Sequence, residues 1–408
     1  MSSLDNSLNT TIDSNFDPAE TQPANWSGVF AMSLCVFALI ASEFMPVSLL
    51  TPLAADLQVS EGMVGQGIAI SGAFAVLTSL LITRLAGNLD RKTLLLGMTA
   101  LMGVSGAVIA LAPTYAVYMI GRALIGVVVG GFWSMSAATA MRLVPSEDVP
   151  RALTIFNSGN ALATVIAAPL GAWLGAVVGW RGAFFCLVPI ALVAFIWQSI
   201  SLPSMPATTS NPASRSLFNL LRKRVVTLGM LGLGVFFMGQ FALFTYLRPF
   251  LETITHMDVA QITLVLLVIG GAGFVGTLMI SSAIKRNLYL TLIIIPLLMA
   301  AIALTLIVFG HWPAAVIALL GGWGFISTAA PVAWWAWLAR TLPDNAEAGG
   351  GLMVAVIQLS IAFGSTLGGL LFDWQGYQST FSASTGLLLI ATVLIYATAR
   401  VEPSSLTH

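Results

Sequence analysis

Long apolar blocks separated by short polar breaks run along the chain from about residue 27 to residue 399. Twelve can be counted, at about 27–50, 62–84, 93–112, 115–140, 152–175, 183–201, 225–249, 259–283, 288–309, 313–338, 347–371 and 379–399. Each is close to the length an α-helix needs to cross about 30 Å of hydrocarbon at 1.5 Å per residue. The pattern predicts an all-α integral membrane protein with twelve transmembrane helices.

Composition agrees. Hydrophobic residues make up 58% of the 408-residue chain and charged residues 8%, against about 25% charged in an average soluble domain. Residues 1–25 are polar and acidic and carry no Lys or Arg. They therefore lack the basic start and short apolar core of a cleaved signal peptide and read as a disordered tail. Of the sixteen basic residues, all but Arg122, Arg181 and Arg248 fall in loops or tails on one side of a twelve-span arrangement. By the positive-inside rule that side is cytoplasmic and holds both termini. Cys35 and Cys186 lie inside predicted spans, so they are expected as reduced, buried thiols. Zero net charge and the lack of an exposed basic run exclude nucleic acid as a partner.

One long loop, about residues 202–224, contains SLPSMPATTSNPASRS followed by LLRKR, a flexible linker ending in a basic anchor at the membrane surface. It divides the chain into a bundle at 26–201, the linker, a bundle at 225–400 and a short tail at 401–408. The halves echo each other. Arg142-Leu-Val-Pro145 recurs as Arg340-Thr-Leu-Pro343, Gly171 and Gly179 recur as Gly368 and Gly376, and Gly72 recurs as Gly271. Two pseudo-symmetric six-helix bundles joined by a cytoplasmic linker predict a rocking transporter with its site between the halves.

Several stretches resemble the drug:proton antiporter branch of the major facilitator superfamily: NWSGVFAMSLCVFALIASEFMPVSLLTPLAADL, GRALIGVVVGGFWSMSAATAMRLVP, IAAPLGAWLGAVVGWRGAFF and FTYLRPF. Within that branch the resemblance is greatest to bacterial purine ribonucleoside exporters, with sugar efflux transporters more distant. Arg122, Gly126 and Gly130 match the family's basic-residue motif, and Pro169, Gly171 and Gly175 resemble its antiporter motif. The signature after span 2 keeps Asp90 and Arg91 but replaces its opening glycine by Ala86 and its later Gly-Arg pair by Thr93 and Leu94. The resemblance implies the twelve-helix fold and a conformational role for Pro46, Asp90, Arg91, Pro169 and Gly171. It also implies proton-coupled export of purine ribonucleosides or their analogues by alternating access, with sugar or drug efflux as the alternative.

Glu43, in LIASEFMPVSLL, is the one acidic residue in the interior of a predicted span. A carboxylate in hydrocarbon costs about 2.5 kcal/mol or more, so it should face a wet cavity, pair with a base or hold a proton. Pro46 lacks an N–H, which frees the carbonyl of Ser42 one turn earlier. Arg122 lies at a similar depth in span 4. It could favour ionised Glu43 as a proton-coupling partner, or it could only tie span 4 to nearby backbone carbonyls.

Most tryptophans fall at span ends, where indoles anchor helices at the interface. Trp323 lies near mid-span and could stack on an aromatic base or serve packing. Asn160, Gln240 and Gln358 lie at similar depth and suit a neutral ligand with several hydrogen-bonding groups, though each could instead bridge helices. Phe241, Tyr246 and Arg248 lie beyond Gln240 and could form the same wall or an outer gate. No metal cluster, nucleotide-binding loop or intramembrane His is present in the sequence, so neither cofactors nor catalysis are expected. The expected partners are protons, lipid and a small neutral solute, carried by a monomer. A non-transporting membrane sensor is the competing class.

Overall fold

The computed structural model describes residues 24–86, 89–145, 148–206, 222–342 and 346–401. Most of the predicted tails and of the predicted linker lie outside these residues, as does Pro343.

The described chain is helical. In order the helices are α1 (Trp26–Ser48), α2 (Leu50–Leu57), α3 (Glu61–Ala86), α4 (Arg91–Ala110), α5 (Tyr115–Arg142), α6 (Val149–Val177), α7 (Gly179–Phe185) and α8 (Leu187–Ser201). The second half continues with α9 (Arg224–Phe244), α10 (Leu247–Thr253), α11 (Val259–Arg286), α12 (Leu288–Phe309), α13 (Pro313–Ser327), α14 (Ala330–Thr341), α15 (Ala346–Gln375) and α16 (Tyr377–Val401). Among the described residues they make twelve segments long and apolar enough to cross a membrane. An even number of crossings puts Trp26 and Val401 on one side, here called the termini side; the opposite face is the far side.

Three spans are broken, and proline chemistry locates each break. A proline cannot donate to the carbonyl four residues earlier, so the ladder is weakest there. Pro189, Pro249 and Pro331 free the carbonyls of Phe185, Thr245 and Ser327. The α7/α8, α9/α10 and α13/α14 breaks fall at these residues or the one or two that follow. By contrast α1 runs through Pro46 and α6 through Pro169.

Each half packs in the same way. In the first, α1 packs on α6 and α8, α3 on α5, and α4 on α5 and α8. In the second, α9 packs on α15 and α16, α11 on α13, and α12 on α13 and α16. The second list is the first with every span replaced by its counterpart six spans later. The bundles meet along two seams, α3 against α15 and α6 against α11. These two seams exchange under the same replacement.

Glycine sets how closely the seams approach. A Cβ on Gly72 would lie 2.8 Å from the carbonyl oxygen of Gln358, and one on Gly270 would lie 2.7 Å from that of Val165. The latter is the carbonyl that Pro169 frees, so a bare backbone faces it across the seam. Apolar packing also crosses between halves: Val47, Ile68, Ala168 and Ala172 of the first bundle belong to the buried core of the second. Outward-facing apolar side chains such as Leu278, Leu370 and Val393 remain 63–66% exposed, a surface suited to lipid.

At the termini side, Asp90 caps α4 by accepting from the N–H of Lys92 at 2.7 Å. Its other oxygen accepts from the N–H of Met205 at 2.8 Å and from the Ser204 hydroxyl. It thereby clamps the start of the inter-bundle connection onto the first bundle. Desolvation opposes ionisation, but the hydrogen bonds from Ser204 and from the N–H groups of Lys92, Met205 and Thr93 outweigh it and hold the Asp90 carboxyl below its ordinary value. A lowered value means that the clamp's contribution is complete above the unfolded value near about 3.9 and is lost as pH falls through the lower folded value. Asp90→Ala is therefore expected to speed proteolytic cleavage near residues 202–206 severalfold at pH 7, and wild type should match it only in strong acid. Equal cleavage of the two proteins at pH 7 would remove the clamp.

Candidate functional site

Glu43 sits at the meeting of the two bundles. Its Oε1 accepts a 3.3 Å hydrogen bond from the Gln358 side-chain amide, which comes from α15 in the other half. The Gln358 residue is 8% exposed. Beside it Phe44 meets Phe244 edge to face with ring centroids 6.1 Å apart, and Phe244 meets Phe241 in the same manner at 6.1 Å. An aromatic wall thus crosses the seam next to the carboxylate. Gln240 precedes Phe244 by about one helical turn and shares its face.

Arg122 is completely buried. Its Nε donates to the Gly67 carbonyl and its Nη1 to the Ser42 carbonyl, both at 3.0 Å. Ser42 is the residue whose carbonyl Pro46 frees, so the guanidinium takes the place of the missing helical N–H. This explains why α1 continues through Pro46. A direct Glu43–Arg122 ion pair does not form, and the sequence alternative in which Arg122 ties span 4 to backbone carbonyls describes the contacts found. Its Nη2 is buried without a partner among the described residues. Arg122→Ala should lower the unfolding free energy by about 3 kcal/mol or more, because two hydrogen bonds to a charged donor are lost, each worth about 1.5–3 kcal/mol. Thermal melting in detergent checks this, and an unchanged melting temperature would show that the grip is not structural.

The remaining predicted residues divide. Gly171 packs α6 onto α1, where a Cβ would meet the Ser48 hydroxyl at 2.5 Å and Met45 Cγ at 3.2 Å. Pro169 lies within the same helix. Tyr246 is fully buried, its hydroxyl donates to the Ser365 carbonyl at 2.8 Å, and its ring stacks on Phe372 at 5.4 Å. Arg248 pairs with Glu252 at 2.8 Å and also donates to the Ser48 carbonyl in the other bundle. Both lie on the far side where the two bundles meet, Tyr246 against Gly65 and Arg248 on Ser48. Asn160 is half-buried, and the buried side-chain oxygen of Gln240 has no partner among the described residues.

Trp323 is placed differently from the cavity role. It is fully buried in the core of the second bundle, and its indole nitrogen has no partner among the described residues. Its ring offers no open face in this conformation, so it packs, as the sequence alternative held. A cavity of about 450 Å³ lies between α3, α4 and α5, lined by Phe74, Leu77, Thr78, Leu81, Ile82, Leu94, Met98 and Val127. It contains none of the predicted site residues. Arg91 stands at the start of α4 and contributes its backbone N–H to the Met205 carbonyl at 2.9 Å. Among the described residues no cluster could hold a metal ion.

Sequence reasoning missed the polar seam on the far side. Thr366 of α15 donates to the Gln66 side chain of α3 at 3.0 Å. Asp373, at the end of α15, accepts from the Gly62 N–H at 3.0 Å and from the Ser60 hydroxyl. One signal was available: Asp373 lies at a helix C-terminus, where the macrodipole disfavours an anion unless another group compensates.

The sequence profile of the Major Facilitator Superfamily matches residues 32–349. The transcription regulatory protein OpdE of Pseudomonas aeruginosa is 66% identical over 382 residues, covering 93% of this chain and 95% of that protein. The purine ribonucleoside efflux pump NepI of Salmonella paratyphi B is 41% identical over 400 residues, covering 98% of this chain and all of the pump. Among solved structures, a bacterial homologue of the human lysosomal transporter Spinster superposes with a TM-score of 0.72 at 14% identity, covering 93% of this chain and 98% of the other. At that identity it speaks for the fold alone.

Proposed function

The chain belongs to the major facilitator superfamily, a family of membrane transporters rather than enzymes, and from that premise we propose that it exports a purine ribonucleoside or a similar neutral solute in exchange for protons. The observation that carries the reading is Glu43, an intramembrane carboxylate of one bundle hydrogen-bonded to Gln358 of the other. An ionised Glu43 accepts a charge-assisted bond from the Gln358 amide; a proton on it weakens that bond. Protonation and the grip between bundles are then linked at one atom. A solute with N–H donors competes with Gln358 for the same carboxylate, which couples its binding to the proton.

Unsatisfied polar groups support a solute rich in hydrogen-bonding groups. The buried Gln240 oxygen lacks a partner among the described residues, and burial without one is costly unless a ligand or water supplies it. The aromatic wall of Phe44, Phe244 and Phe241 supplies a surface for a planar base. The efflux pump relative, covered along its whole length, favours purine ribonucleosides over sugars or drugs. With the termini on the cytoplasmic side, as the basic loops imply, the far-side seam lies at the outer mouth.

The regulatory name of the 66% identical relative favours a second reading, in which the protein senses a solute without moving it. Sealed proteoliposomes with an imposed pH gradient and a panel of labelled nucleosides, sugars and cationic drugs separate the two. Export predicts accumulation of inosine or adenosine that collapses when the gradient is dissipated. Saturable binding with no accumulation across the panel would establish the sensor.

A further inference from the structure

We propose that Asp373 is a positioning residue of the far-side gate, serving as a helix cap supplied by one bundle to the other. The first N–H groups of a helix have no partner inside it. At the start of α3 the Ser60 hydroxyl accepts from the Met63 N–H at 3.1 Å, an ordinary local cap. The next free donor, the Gly62 N–H, goes to Asp373 Oδ1 at 3.0 Å, and the Ser60 hydroxyl itself donates to Oδ2. One carboxylate therefore holds both the cap residue and the first turn of a helix in the opposite bundle.

Two features make this contact specific to the closed gate. Asp373 lies two residues before the end of α15, where its own helix dipole opposes its charge while the positive end of α3 favours it. Approach also depends on glycine: a Cβ on Gly62 would come within 2.5 Å of Asp373 Cγ and 2.7 Å of the Gly369 carbonyl oxygen. When the far side opens, α3 and α15 separate and both partners lose the bond. Its strength thus biases the gate toward closure. The purpose of that bias rests on the alternating-access reading above, but the contact does not.

The test uses the full-length protein in lipid nanodiscs, with Cys35 and Cys186 replaced by Ala and spin labels on Leu111→Cys and Trp312→Cys. These positions are 74% and 64% exposed, on the far side, one in each bundle. Electron–electron resonance distances report opening whether or not any solute is transported, so a protein that only senses would respond equally. Asp373→Ala is expected to raise the ratio of far-side-open to closed molecules roughly tenfold or more, because the two charge-assisted hydrogen bonds to Gly62 and Ser60 are lost from the closed state. Asp373→Asn, which keeps an acceptor, and Ser60→Ala should give smaller shifts in the same direction, and Asp373→Glu should restore part of the closure. If Asp373→Ala does not insert, Asp373→Asn carries the test. Unchanged distance distributions in the folded variants would overturn the proposal.

Discussion

Glu43→Gln is expected to abolish transport driven by a pH gradient, a loss of about a hundredfold or more, while leaving expression and solute binding within a few-fold of wild type. A neutral amide cannot take up or release the proton that an intramembrane carboxylate can. It can still accept from Gln358, so the bond across the seam survives in neutral form and the fold is not challenged. Arg122 is unaffected as well, because it holds the Ser42 and Gly67 carbonyls rather than the carboxylate. Binding measured by scintillation proximity and gradient-driven flux in proteoliposomes should therefore part company. Full gradient-driven flux through Glu43→Gln would remove Glu43 from proton coupling.

Gly65→Ala should push the gate the same way as Asp373→Ala, by adding a clash to the closed state instead of removing a bond from it. A methyl group there would run into the Tyr246 ring, with Cζ 2.7 Å away. That ring cannot swing aside cheaply, since it is fully buried, stacked on Phe372 and hydrogen-bonded to the Ser365 carbonyl. Overpacking of this kind costs about 1–3 kcal/mol, and the cost falls on the closed state alone because Tyr246 and Gly65 belong to different bundles. The ratio of far-side-open to closed molecules is then expected to rise by about five- to 150-fold. A cysteine at Ala362, now 7% exposed in the seam, should react faster with a thiol reagent applied from the far side. Gly271→Ala is the control: nothing lies within 4 Å of a Cβ placed there, and its labelling should match wild type. Equal labelling in Gly65→Ala and Gly271→Ala would mean that the gate does not close on Tyr246.

How much of this was readable from sequence depends on the range of the interaction. Span positions were legible because the cost of unsatisfied backbone in lipid writes them as long apolar blocks, and the predicted block at 288–309 coincides with α12 at Leu288–Phe309. The duplication was legible through Gly and Pro positions, which backbone geometry holds in place. Pro46 showed that the Ser42 carbonyl would be free, and Arg122 stood at the matching depth. What the sequence left open was which acceptor the guanidinium would choose, because a carbonyl and a carboxylate one residue apart look alike at the resolution of depth along a helix.

Contacts between bundles were the least legible. Gln358 was singled out for a solute, yet its amide reaches Glu43, 315 residues away. Asp373 and Ser60 drew no attention as polar residues at span ends, where water alone would satisfy them. Trp323 shows the limit of depth as a guide: it identifies residues away from the interface but not the direction in which a ring points. Side-chain direction around each helix axis emerges only from packing, and packing across a seam depends on both halves at once.

Coupling of proton and solute movement through Glu43 can be read directly from the luminal pH. Proteoliposomes containing the protein and an internal pH-sensitive dye are prepared with no gradient, and inosine is added outside. Coupled exchange predicts that inward movement of the nucleoside drives protons out, so the lumen becomes alkaline with wild type and does not change with Glu43→Gln. Inosine entry with no pH change in wild type, or an equal pH change in Glu43→Gln, would contradict it.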